Sequence, residues 1–230
     1  MKQQIDTIQQ NLRKRDLLGW LVYDVQFRNS AILTWLGLPP HTHVTRKFFY
    51  WVPARGTPVK IVHAIEREKY THLYGNEAIY SSREELALQL KALFHTPKCI
   101  AMEIWPSGEV PSLSTVDYGT VEWIRSFQVE VTSSWEVLQD VLSRLSQEQL
   151  INQQESYTKL AGAIQTTLSS IKTTSSDISL QEILMLEMSN RGLYFDHPPC
   201  IAFGPDSALP HFSPQSAKKI ANGTLVDWLH

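Results

Sequence analysis

The chain has 230 residues, 21 Lys plus Arg against 23 Asp plus Glu, a formal net charge of −2, 43% apolar and 10% aromatic residues. That length bounds the chain to one large domain or two small ones, and the apolar share is enough for a packed core, which excludes a disordered chain. A nearly balanced charge excludes bulk neutralisation of phosphates, so nucleic acid is not an expected partner.

The chain opens with Ile5, Ile8 and Leu12 at helical spacing among Gln, Lys and Arg, which predicts a helix that Gly19 stops. Trp20 to Tyr23 reads as a short buried strand, and Asn29 to Leu36 as a helix ending at Gly37. Pro39 and Pro40 make Leu38 to His43 a loop. Phe48 to Pro53 is aromatic and β-branched and predicts a strand, with Val59 to His63 returning after the turn at Ala54 to Pro58 to close a hairpin. Ser82 to Phe94 predicts a helix with Glu84 and Glu85 in its first turn, where acids suit the helix dipole. A strand at Ile100 to Ile104, a helix at Tyr118 to Phe127 and a strand at Val129 to Thr132 follow. Helices and strands alternate through this part, which predicts an α/β domain.

After Trp135 the texture changes. Gln147 to Lys172 places Leu150, Tyr157, Leu160, Ala161, Ile164, Leu168 and Ile171 on one face of a long amphipathic helix. A second helix is predicted to start at a capping box of Ser179 and Glu182, with Ile178 and Ile183 as its hydrophobic staple, and to end at Gly192. Two domains are expected, 1–135 and 146–230.

Several strong chemical motifs are absent: there is no Walker A loop, no GxGxxG after a strand, no HExxH and no GxSxG elbow. The two cysteines, Cys99 and Cys200, are too few for a disulfide framework. Met1 to Asp6 has no apolar signal region, and no run reaches the ~18 apolar residues of a membrane span. The expected location is therefore cytoplasmic, with no membrane partner.

His41 and His43 have the spacing of a metal pair, but two solvated imidazoles on a proline loop is the simpler reading. His63 ends an apolar strand and reads as a core or strand-end histidine. The run Phe48 to Trp51 reads as sheet core, and Arg46 before it as a surface ion-pair partner, with binding of a carboxylate as the alternative. The most informative stretch runs from Asp196 to Pro214. A strand at Cys200 to Phe203 enters a Gly204-Pro205 turn, and a second turn presents His211 directly after Pro210. Proline fixes the backbone before that imidazole, which makes His211 a candidate functional histidine, with a turn residue bonded to local backbone as the alternative.

Pro198 to Gly204, Ser207 to Phe212 and Gly223 to Asp227 together resemble the opening of the pita-bread metallopeptidase domain shared by aminopeptidase P, prolidase, creatinase and methionine aminopeptidase. Thr45 to Pro53, Val62 to Glu66, Ala101 to Glu103 and Val116 to Glu122 resemble the amino-terminal domain of bacterial Xaa-Pro aminopeptidases. The resemblance implies a creatinase-like α/β domain followed by the first part of an α+β pita-bread domain. It also implies a hydrolase that releases amino-terminal residues preceding proline through two divalent metal ions, manganese, cobalt or zinc, held by two Asp, one His and two Glu.

On this resemblance His211 is the catalytic histidine that bonds the substrate beside the metals, and Asp227 is the first metal ligand. Asp227 stands two positions early relative to the family's Gly-Asp-x-Val-x-x-Asp pattern, a shift that keeps the same strand face. The other four ligands would fall beyond His230. The chain is therefore expected to be a truncated product or the first part of a longer one, to bind no metal pair as it stands and to be inactive alone. The implied partners are a peptide substrate and, through the amino-terminal domain, a second copy. A non-catalytic creatinase-like binding or assembly module is the alternative reading, and an unrelated α/β small-molecule binder a third.

Overall fold

A computed structural model describes residues 2–39, 42–94, 99–172, 175–210, 212–214 and 226–229, with 140–142 and 226–229 as backbone alone. It divides into two compact units, Met1–Arg144 and Leu145–His230.

The first unit is built on six strands: β1 (Gly19–Asp24), β2 (Phe48–Pro53), β3 (Val59–His63), β4 (Asn76–Tyr80), β5 (Cys99–Met102) and β6 (Glu130–Ser133). They form one sheet in the order β4-β3-β2-β1-β5-β6. Strand β2 runs against both neighbours, while the β3–β4, β1–β5 and β5–β6 pairs are parallel. All strands except β2 therefore point the same way, and the carboxyl ends of β1, β3 and β4 share one edge with the amino end of β2.

Helices cover both faces, which is why the central strands are apolar without interruption. Alternation along β1 sends Trp20 and Val22 to one face and Leu21 and Tyr23 to the other. On the first face lie α1 (Lys2–Lys14), α2 (Ser30–Trp35) and α5 (Trp135–Leu142), contributing Ile5, Ile8, Ile32, Leu33, Val137 and Leu138. On the second lie α3 (Arg83–Lys91) and α4 (Tyr118–Arg125), contributing Leu86, Leu90, Val121 and Ile124. The aromatic run is sheet core as expected: Phe48 and Tyr50 face the first layer, Phe49 and Trp51 the second.

Three readings need correction. Gly19 does not stop the first helix, which ends at Lys14; it is the first residue of β1. A Cβ there would lie 2.3 Å from the Trp51 ring, so glycine is needed for close approach. Strand β4 was not expected, because it begins polar and only Tyr80 is buried. Helix α5 was also not expected. Its Val137 and Leu138 are buried in the first core, so the unit runs past the expected boundary at 135 to Arg144.

The second unit contains α6 (Gln147–Ser169), α7 (Asp177–Asn190) and an antiparallel strand pair, β7 (Cys200–Phe203) with β8 (Val226–Leu229). Its core joins Ala163, Leu180, Leu184, Met188, Ile201 and Phe203. The expected apolar face of α6 is only partly used. Leu150, Tyr157 and Leu160 are exposed, Ala161 as well, and burial falls on Ala163 and Thr167, small enough for close helix contact.

The cap of α7 lies one turn before the expected box. Ser176 Oγ accepts from the Ser179 amide at 3.1 Å, and Ser179 Oγ accepts from the Ser176 amide at 2.8 Å. Glu182 is therefore inside the helix. Gly192 does terminate it: its φ is +71°, and the Leu193 amide reaches back to the Met188 carbonyl.

Candidate functional site

Of the two residues implied as catalytic or metal-binding, His211 lies outside the described residues, as does His41. Asp227 is described through its backbone on β8, where it pairs in register with Ala202. Ala202 alternates with Ile201 and Phe203, the positions that pack into the helical core. Phe212 lies beside β7, its carbonyl against Cys200 Sγ. Among the described residues no three His, Cys, Asp or Glu side chains converge on a point.

A different constellation is well described in the first unit. A cavity of about 600 Å³ opens at the carboxyl ends of β1, β3 and β4. In open α/β sheets this edge is where ligands are usually held, because the strands end there and loops are free to vary. Arg46 and Lys47, just before β2, line it together with His63, Arg83, Asp117 and Trp123.

Lys47 is held closely. Its ammonium lies 5.3 Å from the centre of the Tyr23 ring and 5.5 Å from that of Trp123, and it donates to Thr120 Oγ1 at 3.2 Å. Burial pulls the Lys47 amine below its ordinary value, Asp117 opposes this and Arg83 adds to it. Tyr80 fixes the backbone by donating its hydroxyl to the Lys47 carbonyl at 2.5 Å. Arg83 lies over the Trp123 ring from the α3 side, 5.7 Å from its centre.

Asp117 caps α4. Its two carboxylate oxygens accept from the Thr120 amide and the Thr120 hydroxyl, both at 2.8 Å. Burial pushes the Asp117 carboxyl up, but the Thr120 bonds, the Tyr23 hydroxyl and Lys47 outweigh it and hold it below the ordinary value. Tyr23 itself is pushed up to about 12, chiefly by burial.

His63 is a strand-end histidine as expected. Its Nδ1 accepts from the Ile65 amide at 3.2 Å, which places the neutral ring's proton on Nε2, and the ring meets Tyr80 edge-on. Arg46 makes no ion pair among the described residues; its amide donates to Glu66 at 3.3 Å. His43 is exposed, and its carbonyl accepts from Lys69.

The acids Glu66 and Glu103, each at the end of a motif in the first unit, serve the scaffold. Glu66 is buried and binds the Thr45 amide at 2.8 Å, the Thr45 hydroxyl at 3.0 Å and Lys69 at 3.3 Å. Burial raises its proton affinity, but the Thr45 and Arg46 bonds and the Lys69 charge bring it below the ordinary carboxylate value. Glu103 is buried directly after β5. It accepts from Trp20 Nε1, from Ser134 Oγ at 3.2 Å and from Asn29 Nδ2 at 3.2 Å. Burial pushes the Glu103 carboxyl up to about 7 against these bonds.

Sequence reasoning missed Lys47, Arg83 and Thr120 as neighbours. The one local signal was the Arg46-Lys47 pair directly before an apolar strand, which marks the sheet edge where solvent begins.

No protein-family profile matches the chain, and no curated protein does. Solved structures match it along nearly its whole length. The dipeptidase PepE from Mycobacterium ulcerans is 12% identical with a TM-score of 0.75, covering 98% of this chain and 58% of that one. A prolidase from Thermococcus sibiricus is 18% identical with a TM-score of 0.71, covering 99% and 60%. An Xaa-Pro dipeptidase from Bacillus anthracis is 16% identical with a TM-score of 0.71, covering 99% and 59%. The chain thus spans about three-fifths of the length of these proteins. Over that length it shares their fold, a creatinase-like α/β domain followed by the first part of a pita-bread domain, as its motifs predict.

Proposed function

We propose that the chain carries the amino-terminal domain and the opening of the catalytic domain of an Xaa-Pro aminopeptidase-like hydrolase, which releases an amino-terminal residue preceding proline. The observation that carries this reading is the match of both units, in one chain and in order, to solved peptidases whose names specify a prolidase and an Xaa-Pro dipeptidase. The resemblance of Pro198 to Phe212 to the family's Pro-His segment supports it at the level of residues.

In this reading His211 is the substrate-bonding catalytic group, and Asp227 contributes to a centre for two divalent ions, manganese, cobalt or zinc. Such ions supply an activated water and polarise the scissile carbonyl. No step is assigned to that centre, since among the described residues no three His, Cys, Asp or Glu side chains converge. The imidazole of His211 has the chemistry to donate a hydrogen bond, or a proton, to the substrate as charge develops on it. A peptide is the partner, a second copy joins through the first unit, and the cytoplasm is the compartment.

The test compares the 230-residue chain with the product of the longest reading frame that contains it. Both are assayed on Xaa-Pro dipeptides and tripeptides with added manganese, cobalt or zinc. Turnover by the frame's product that is lost when alanine replaces the substrate proline is the expected result, with the 230-residue chain inactive alone. A folded frame product that binds metal and leaves every Xaa-Pro peptide intact overturns the proposal.

A further inference from the structure

We propose that the cleft at the carboxyl ends of β1, β3 and β4 binds a small organic dianion, a phosphomonoester or a dicarboxylate, through Arg46, Lys47 and Arg83. This site lies wholly in the first unit and is independent of the peptidase reading.

Charge carries the argument first. Of the described residues that line the cleft, three are cations and one, Asp117, is a carboxylate. Asp117 is already engaged by the Thr120 amide and hydroxyl. Among the lining side chains the cations exceed the carboxylates by two, and a dianion is the complement of that excess. Arg46 and Arg83 are exposed, Arg83 resting over the Trp123 ring, so both guanidinium forks can reach paired oxygens. Lys47 is different. Its position is set by the Tyr23 and Trp123 rings and by Thr120, so it lines the cleft as a fixed point charge. The amino end of α3 adds little, because Ser82 Oγ and the Glu85 carboxylate already take the Glu85 and Ser81 amides.

Size and lining decide that the ligand has a carbon skeleton. About 600 Å³ lies within the range of small-molecule sites and far exceeds a bare phosphate. Trp123, Leu86 and Val25 supply an apolar wall beside the cations.

The experiment is calorimetric titration of the full 230-residue chain at low ionic strength with glycerol phosphate, with succinate and with acetate, sodium chloride serving as the ionic-strength control. The same titrations are run on the Arg46→Gln/Arg83→Gln double variant and on Lys47→Met. Both arginines are exposed and Met fits the aromatic slot, so circular dichroism melts should show all three proteins folded. Saturable binding of at least one dianion and none of acetate is expected, and which dianion binds identifies the source. Each lost charge-assisted contact should weaken binding about ten- to a hundredfold. No saturable binding of either dianion, equal binding of acetate, or unchanged affinity in the double variant overturns the proposal.

Discussion

Replacing Glu103 with Gln should change how the stability of the first unit depends on pH. Glu103 is 3% exposed, and burial raises its carboxyl from the ordinary 4.5 to about 7. A group whose folded value is raised favours the folded state fully below its unfolded value. That contribution is lost as pH rises through the window from 4.5 to about 7, where the folded chain must give up a proton it holds more tightly than the unfolded chain. At about 1.4 kcal/mol per tenfold change in proton affinity, the loss amounts to about 3 kcal/mol. The glutamine cannot titrate, so its own profile lacks this slope. It carries a fixed penalty instead, because its amide nitrogen must face one of the three donors from Trp20, Ser134 and Asn29. That penalty is about 1–3 kcal/mol and does not vary with pH. Urea unfolding from pH 4.5 to 8, followed by tryptophan fluorescence, measures both proteins; every tryptophan except Trp228 lies in the first unit. The stability difference, wild type minus variant, should fall by about 3 kcal/mol across the window. Parallel profiles would refute the assignment of the slope to Glu103.

Gly19→Ala should destabilise by about 1–3 kcal/mol, since the new Cβ meets three Trp51 ring carbons within 2.7 Å; a shifted urea midpoint measures it. Ser176→Ala should cost about 1 kcal/mol by removing the cap of α7, whereas Glu182→Ala should stay within about 0.5 kcal/mol of wild type. Comparing the two melts tells the observed cap from the one a turn later. In the active form of the proposed peptidase, His211→Ala should lower turnover on Xaa-Pro peptides by about 10²–10⁴ while the melting temperature holds. Unchanged turnover removes His211 from the reaction, and a large fall in melting temperature makes it a structural turn residue.

The sequence by itself determined the elements whose signals are local. Strands β1, β2 and β3 are legible because each is a short apolar run bounded by turn residues, and α1 because Ile5, Ile8 and Leu12 repeat at helical spacing and are all buried. The change of texture after the α/β part separates the two units, and the ordered motifs identify the fold that solved peptidases share.

Only the tertiary structure decided the rest. The Asn76–Tyr80 strand exists because β3 offers it a parallel partner, and its own residues carry too little apolar alternation to announce it. Ser176 and Ser179 both suit a cap, and the choice fell on the one whose amide and hydroxyl close a reciprocal pair. The face α6 buries is set by where Leu180, Leu184 and the strand pair lie, so larger residues at 150, 157 and 160 stay exposed while Ala163 and Thr167 are covered. Lys47, Arg83 and Thr120 are far apart in the chain and meet only because β2 runs antiparallel between strands that end at the same edge. Local propensity is read from neighbours along the chain, but a cleft depends on which strands pair, and pairing is set by contacts across the sheet.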